Sequence, residues 1–466
     1  MKRKLTAFCI SAALLCGVMP AFPAAAEDGN DLEYVRWKLE DGILTLSGTG
    51  STPDYHISSG SYGKEPYVIW AKDVAPPWYE RRSEITEIVI DDTVTGIGMY
   101  AFAAMPNLTK VTMGRELSVI LDYAFVSCPK LEEIQFCEDG ALTFIGSNAF
   151  AYQDTIKEIT LPESLRTLAG DAFDSSDLEK IHLPAGLEEI AGRFLPLCDQ
   201  LTEITIPEEN TGYTISDGAL YTGDLHELVR YPAVSSSVCV LPDGVVSIRD
   251  MAFSYCGDLK SVYLPDGITT LSENAFYWCD QLSYIRLPET LETLNNHAFQ
   301  CCKQLCYPLI PASVTSIEDR VFSSSGAEIL CFAGTQEQWE AIARPADDST
   351  LAKRTVRFGV QALDILSVDL NEDGCVDAMD AAVMLQYAAA AGSGVADDFA
   401  LFQMQQGLPA SACSNDATDR SCGMDLYADE MLNASDAAVV LQYAAAAGSG
   451  YAKGLPDYLS EIGSQT

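Results

Sequence analysis

The chain has 466 residues and carries 67 Asp and Glu against 28 Lys and Arg, a formal net charge of −39. An acidic excess of this size excludes nucleic acid and anionic lipid as natural partners, since both would be repelled. Hydrophobic residues make up 48%, enough for a large core, and the 15 cysteines lack the CxxC pairs of a zinc site or the dense framework of a disulfide scaffold.

Met1-Lys-Arg-Lys4, the apolar run Leu5 to Met19 and the small residues Ala24-Ala25-Ala26 have the layout of an export signal over residues 1–26. The apolar run is too short to span a bilayer. Residues 27–84 follow as a small β unit. Within it Ile43, Thr45 and Ser47 alternate with Leu44, Leu46 and Gly48 between glycines, which predicts a short strand after a tight turn. Such a unit would hide the terminal apolar face of the stack that comes next.

From residue 85 to about 350 the chain is repetitive. Ala-Phe pairs end at Phe102, Phe125, Phe150, Phe173, Phe253, Phe276 and Phe299, and within each run consecutive phenylalanines are 23 or 25 apart. Leu-Pro or Ile-Pro pairs recur in step, from Pro162 to Pro311. A period in the twenties with Leu-x-x-Ile-x-Leu segments predicts a mainly β solenoid of the leucine-rich-repeat class, one short parallel strand per turn. The Leu, Ile and Phe of each turn are then core, and the residues between them face outward. In early turns these are polar: Glu87, Lys110, Thr112, Glu133, Gln135, Glu158, Thr160, Lys180, Glu203 and Thr205. In later turns they become Ser261, Tyr263, Tyr284, Arg286, Tyr307 and Leu309. Tyr and Arg gathered on one face are the types enriched in binding hot spots, so Tyr263, Tyr284, Arg286 and Tyr307 are the candidate ligand-binding residues; strand preference alone also accounts for tyrosine there. Cys128, Cys256, Cys279 and Cys302 each follow a phenylalanine by three, which predicts one buried column of free thiols. His182, in Lys-Ile-His-Leu-Pro184, is an isolated outward residue, and no HExxH, GxSxG or phosphate-binding loop stands in a meaningful context.

After a linker at 351–363, residues 369–380 place Asp369, Asn371, Asp373, Asp377 and Asp380 at loop positions 1, 3, 5, 9 and 12, with Gly374 at 6 and the Cys375 carbonyl at 7. This is the spacing with which a twelve-residue loop wraps Ca2+ in oxygen ligands. A second copy offers Asp425, Asp429, the Met431 carbonyl, Asn433 and Asp436, but has Tyr427 at position 3 and Glu430 in place of the glycine, and reads as the weaker site. Each loop runs into the same helical segment, ending QYAAAAGSG.

The segment from Leu259 to Phe276, LKSVYLPDGITTLSENAF, resembles the BspA-like leucine-rich repeats of bacterial surface and secreted proteins. The likeness covers about Ile85 to Ile342, including the insert Gly218 to Pro232 and the closing Phe332 to Ile342. The duplicated loop and helix at 364–450, interrupted by an insert at 395–424 and followed by a tail at 451–466, resembles a dockerin, an all-α calcium module that plugs into cohesin domains of a cellulosome scaffoldin. That resemblance implies cohesin contacts at Ala378, Met379, Leu385, Gln386, Ala434, Ser435, Leu441 and Gln442. Together the two resemblances imply a secreted, non-catalytic binding protein within a polysaccharide-degrading assembly, its solenoid taking a protein or plant cell-wall glycan. A polysaccharide-degrading enzyme or accessory, and an adhesin or protease inhibitor, are the alternatives.

Overall fold

In the computed structural model the described residues are 35–55, 75–305, 308–345 and 350–358. They form a mainly β solenoid of about 12 turns with short parallel strands and little helix. The chain divides into two compact units, one ending at Asp224 and one beginning at Leu225.

The first unit opens on an antiparallel hairpin, Val35–Glu40 with Ile43–Gly48. Its two linking residues, Asp41 and Gly42, have φ of 49° and 84°, the positive pair that a tight turn between twisted strands requires. Leu44 and Leu46 are fully buried, and the second strand pairs in parallel with Glu87–Ile90, the first repeat strand. From there the ladder runs through Lys110–Thr112 to Glu133–Gln135, and a separate sheet joins Glu158–Thr160, Lys180–His182 and Glu203–Thr205. Val111, Ile159, Ile181 and Ile204 point inward while their neighbours stay at least partly exposed, the alternation read from the sequence.

Each turn differs from expectation in carrying two strands. Val94–Ile97, Val119–Ile120, Phe144–Ile145, Thr167–Ala169 and Glu189–Ala191 form a second parallel ladder in the same unit. Most are two or three residues long, too short to display a period of two, so the sequence pattern hides them. The longer turn, from Phe125 to Phe150, keeps the second ladder in register, while the leucine-strand sheet ends at Glu133–Gln135: its extra residues lie between Glu133–Gln135 and Phe144–Ile145, where the Gly140 amide donates to the Cys137 carbonyl over 3.0 Å.

The Ala-Phe pairs turn the corner and stack. In the first unit Trp78, Phe102, Phe125, Phe150 and Phe173 follow one another at centroid distances of 5.2, 5.0, 5.1 and 5.4 Å. In the second unit Tyr231, Phe253, Phe276, Phe299 and Phe322 do the same at 5.2, 4.6, 5.4 and 5.5 Å. Trp78 and Tyr231 thus hold a phenylalanine's place, Trp78 donating its indole N–H to the Ala101 carbonyl over 2.9 Å. Phe amides donate to the carbonyl of the residue before the next turn's Phe, as Phe125 does to Ala149, Phe276 to Ala298 and Phe299 to Val321. The corner requires left-handed backbone two residues before the Phe, as at Asn148 (φ 54°), and two after, as at Ser127 (φ 59°) and Trp278 (φ 60°). These are not glycines, and each costs about 1–2 kcal/mol. The cost is offset because the rotated amides also reach the next turn: Ser127 donates to Ala151, and Trp278 to Gln300.

The second unit repeats this plan with the ladders Val238–Val240, Ser261–Tyr263, Tyr284–Arg286 and Thr270–Leu271, Thr293–Leu294, Ser316–Ile317. It closes through Leu309–Ile310, Ile329–Phe332 and Thr355–Phe358 beside the helix Gln336–Ala341, which Thr335 and Gln338 cap reciprocally.

The position three residues after each corner Phe seals the core. Its side chain donates to a corner carbonyl: Cys128 to Phe102, Cys279 to Phe253 and Cys302 to Phe276, at 3.3, 2.9 and 3.1 Å. Cys256 meets the Tyr231 and Pro232 carbonyls at 3.8 and 3.6 Å. The nine described cysteines are free, and burial pushes the Cys128 thiol up to about 12 and raises Cys279 and Cys302 as well. Cys198 joins the column, donating to Phe173, although it stands four residues after Phe194. Met105, Gln153 and Ser176 fill the other places in that unit, Met105 without a bond to donate. Gln153 is fully buried and its amide donates to Phe125 and Ala151, but its Oε1 has no partner.

An unmet buried acceptor costs about 1–3 kcal/mol. Gln153→Cys, which restores the thiol found one turn earlier, is therefore expected to stabilise the fold by about 1 kcal/mol, seen as a higher urea midpoint. A lower midpoint would mean that the unmet carbonyl costs less than the two bonds donated by the Gln153 amide contribute. The thiols make a second expectation. Their ionisation is raised in the fold above the ordinary value of 9.0, so the folded state holds protons that the unfolded chain releases, and stability falls as pH rises through about 9. Mass-mapped alkylation of the native protein at pH 8 should leave Cys128, Cys279 and Cys302 unlabelled.

Candidate functional surface

The side chains that alternate outward on the leucine-strand sheets form rows across successive turns. In the first unit one row is Glu87, Lys110 and Glu133 in register, and another is Glu158, Lys180 and Glu203. Lys110 lies 3.4 Å from Glu133 and Lys180 lies 2.9 Å from Glu203. Their mutual hydrogen bond raises the Lys180 ammonium and holds the Glu203 carboxyl below its ordinary value. His182 is not isolated, as its sequence context suggested: its Nδ1 is 2.7 Å from Thr205 Oγ1 and its Nε2 is 3.1 Å from Glu158 Oε1. Most of the polar side chains on this face pair with one another.

The second unit presents something different. Val240, Tyr263 and Arg286 stand in one row, and Val238, Ser261 and Tyr284 in the next. The Tyr263 and Tyr284 rings lie diagonally across neighbouring strands, 5.4 Å apart and tilted by 42°. Val240 is 57% exposed, the most open large aliphatic side chain among the described residues. Arg286 is part-buried and its side chain has no hydrogen bond or ion pair to any described residue, whereas the outward lysines Lys110 and Lys180 of the first unit each meet a glutamate. The structure thus brings together Tyr263, Tyr284 and Arg286; Tyr307 falls outside the described residues. Val240 was missed in the sequence, although it stands two residues before Pro242 as Tyr263 does before Pro265.

Two further features escape sequence reasoning. At the corner of the second unit Trp278, 39% exposed, stacks on Tyr255 at 5.9 Å and 5°, with the Lys303 ammonium 5.2 Å from the Trp278 ring centre. In the first unit an open depression of about 450 Å³ is lined by Arg166, Gly186, Glu188, Asn210 and Gly212. Asn210 there donates to Ala185 and Leu187 and accepts from the Gly212 and Tyr213 amides, which makes it a brace for the chain.

Among the described residues no three His, Cys, Asp or Glu side chains group as a metal site. Both calcium loops, 369–380 and 425–436, lie outside the described residues, as do the cohesin-contact positions Ala378, Met379, Leu385, Gln386, Ala434, Ser435, Leu441 and Gln442.

The model of the BspA type leucine rich repeat region matches the chain in six copies, over residues 77–195, 139–236 and 234–340. Among solved structures the chain is similar to a leucine rich cell surface protein from Faecalibacterium prausnitzii, at 23% identity and a TM-score of 0.49, covering 68% of this chain and 98% of that one. It is also similar to a leucine-rich repeat protein from Eubacterium ventriosum, at 22% identity and 0.46, covering 64% and 94%. The pneumococcal vaccine antigen PcpA follows at 16% and 0.43, covering 70% and 98%. No curated protein matches the chain.

Proposed function

Because the chain belongs to the BspA-type leucine-rich repeat family, we propose that it is an exported binding protein whose solenoid presents a ligand-binding face on the second unit. The observation that carries this reading is the row change: the outward lysines of the first unit pair with glutamates, while Val240, Tyr263, Tyr284 and an Arg286 whose side chain has no partner among the described residues occupy those positions in the second. Aromatic and arginine side chains of this kind give broad contact at low entropic cost, and a folding role does not require them, because outward side chains hold no core. The family matched is a repeat family and no enzymatic family is indicated. The basic and apolar start of the sequence supports export, and no helix among the described residues is long and apolar enough to cross a membrane.

Tyr263→Ser combined with Tyr284→Ser is expected to abolish capture of ligands found on a glycan array or in a supernatant pull-down, with little change in melting temperature. Two aromatic anchors of about 1–2 kcal/mol each correspond to at least a thirtyfold loss. A double variant that folds and binds unchanged would sink this reading, and hydrolysis of a polysaccharide by the intact chain would favour the enzyme alternative.

The duplicated loops support a second part to the proposal, that the chain docks onto a cohesin through a calcium dockerin and so joins a cellulosome-type scaffold. Asp369, Asn371, Asp373, Asp377 and Asp380 offer a full oxygen set, whereas Tyr427 interrupts the second. Calorimetric titration with Ca2+ is expected to give one tight site and one weak or silent site; two equal tight sites would contradict the role given to Tyr427. Asp369→Ala with Asp380→Ala should abolish calcium-dependent cohesin capture while the solenoid stays folded. Capture retained by that variant would remove the dockerin from the account.

A further inference from the structure

We propose that the Tyr263, Tyr284 and Arg286 face recognises a saccharide bearing a single hexuronic acid, with Arg286 holding the carboxylate. This rests on the reading of that face as the binding surface and adds the chemistry of what it takes.

The argument begins with charge. The chain carries 67 acids and 28 bases, yet none of the outward strand positions of this sheet is acidic, and its one cation, Arg286, has no carboxylate among the described residues. An arginine that no described carboxylate meets is a natural seat for an external anion, and its planar fork matches a carboxylate in two parallel hydrogen bonds. Register puts Arg286 directly beside Tyr263, and Tyr284 lies on the same strand two residues before Arg286. Arg286 and the two tyrosines therefore share one patch of the sheet, and tyrosine rings are surfaces against which the C–H bonds of a pyranose pack favourably. Ser261, expected to face outward, is buried beneath this surface, so the contact falls to the two rings and Arg286.

A peptide is a poorer fit. Peptide recognition uses a free strand edge, a groove for a helix or side-chain pockets. Ser261–Tyr263 is paired on both sides, by Val238–Val240 and Tyr284–Arg286, so its backbone is spent. Recognition here falls to side chains on a shallow surface. The negative field of the whole chain opposes anions at long range, which selects for a sparsely charged sugar over a dense polyanion.

The test uses the intact chain and two probes, oligosaccharides carrying one glucuronic or one galacturonic acid, titrated calorimetrically or by chemical-shift change. Controls are the same sugars with the carboxylate reduced to an alcohol, and a glutamate-bearing tripeptide. The expected result is binding of at least one acidic sugar, lost about tenfold or more on carboxyl reduction and by a similar factor in Arg286→Gln, with Arg286→Lys retaining part of it. Circular dichroism checks that the variants fold. Equal binding of acid and alcohol overturns the role of Arg286, and tighter binding of the tripeptide overturns the saccharide. Failure of both acidic sugars overturns the proposal. If Tyr263 and Tyr284 still govern capture of some other ligand, the binding-face reading survives that failure.

Discussion

Everything in this solenoid depends on the stack of corner phenylalanines and the amide ladder that runs beside it. One ring contact of this type contributes about 0.5–1.5 kcal/mol beyond the area it buries, and no turn can gain it alone. The rings recur at 4.6 to 5.5 Å, close to the spacing of about 4.8 Å that neighbouring strands impose. Ring stacking and strand pairing therefore demand the same repeat distance, and each reinforces the other. Trp78 at the head of one column and Tyr231 at the head of the other extend the stack with rings that also carry a polar atom.

That arrangement separates folding from recognition. The inward side chains, corner rings and thiol column hold the turns together, so the outward rows are free to vary. In the first unit they vary into self-paired polar rows such as Glu158, Lys180 and Glu203. In the second they vary into Val240, Tyr263, Tyr284 and Arg286, which expose apolar area beside a cation that no described carboxylate meets. The backbone beneath the two faces is alike, so the difference in what they can bind is a difference of side chains.

Much of this was legible in the sequence because the repeat reports it many times over. The Leu-x-x-Ile-x-Leu phase put Lys110, Lys180, Tyr263 and Tyr284 outward, and the spacing of Cys128, Cys279 and Cys302 after phenylalanine put them in the core. The second ladder was not legible, since Val119–Ile120 and Thr270–Leu271 are too short to carry a period. The partners of His182 were hidden because Glu158 and Thr205 come from the turns on either side. Val240 was overlooked for a related reason: its turn begins on Arg230 and Tyr231 where most others have Ala-Phe, with Arg230 fully buried and donating to Met251 and Ser254. Cys198 escaped because the turn at Phe194 is one residue out of step.

The long turn between Phe125 and Phe150 has a wider meaning for how such a chain can change. Its additional residues sit in the link between its two strands, around Cys137 and Gly140; the second ladder passes through without a shift, and the leucine strands resume as a new sheet at Glu158–Thr160. A residue added within a strand would flip every following side chain to the opposite face, and one added at the Ala-Phe corner would throw the rings out of line. The link has neither constraint. It is the point at which the array can lengthen, accept a foreign peptide or acquire a new loop while every other turn keeps its register.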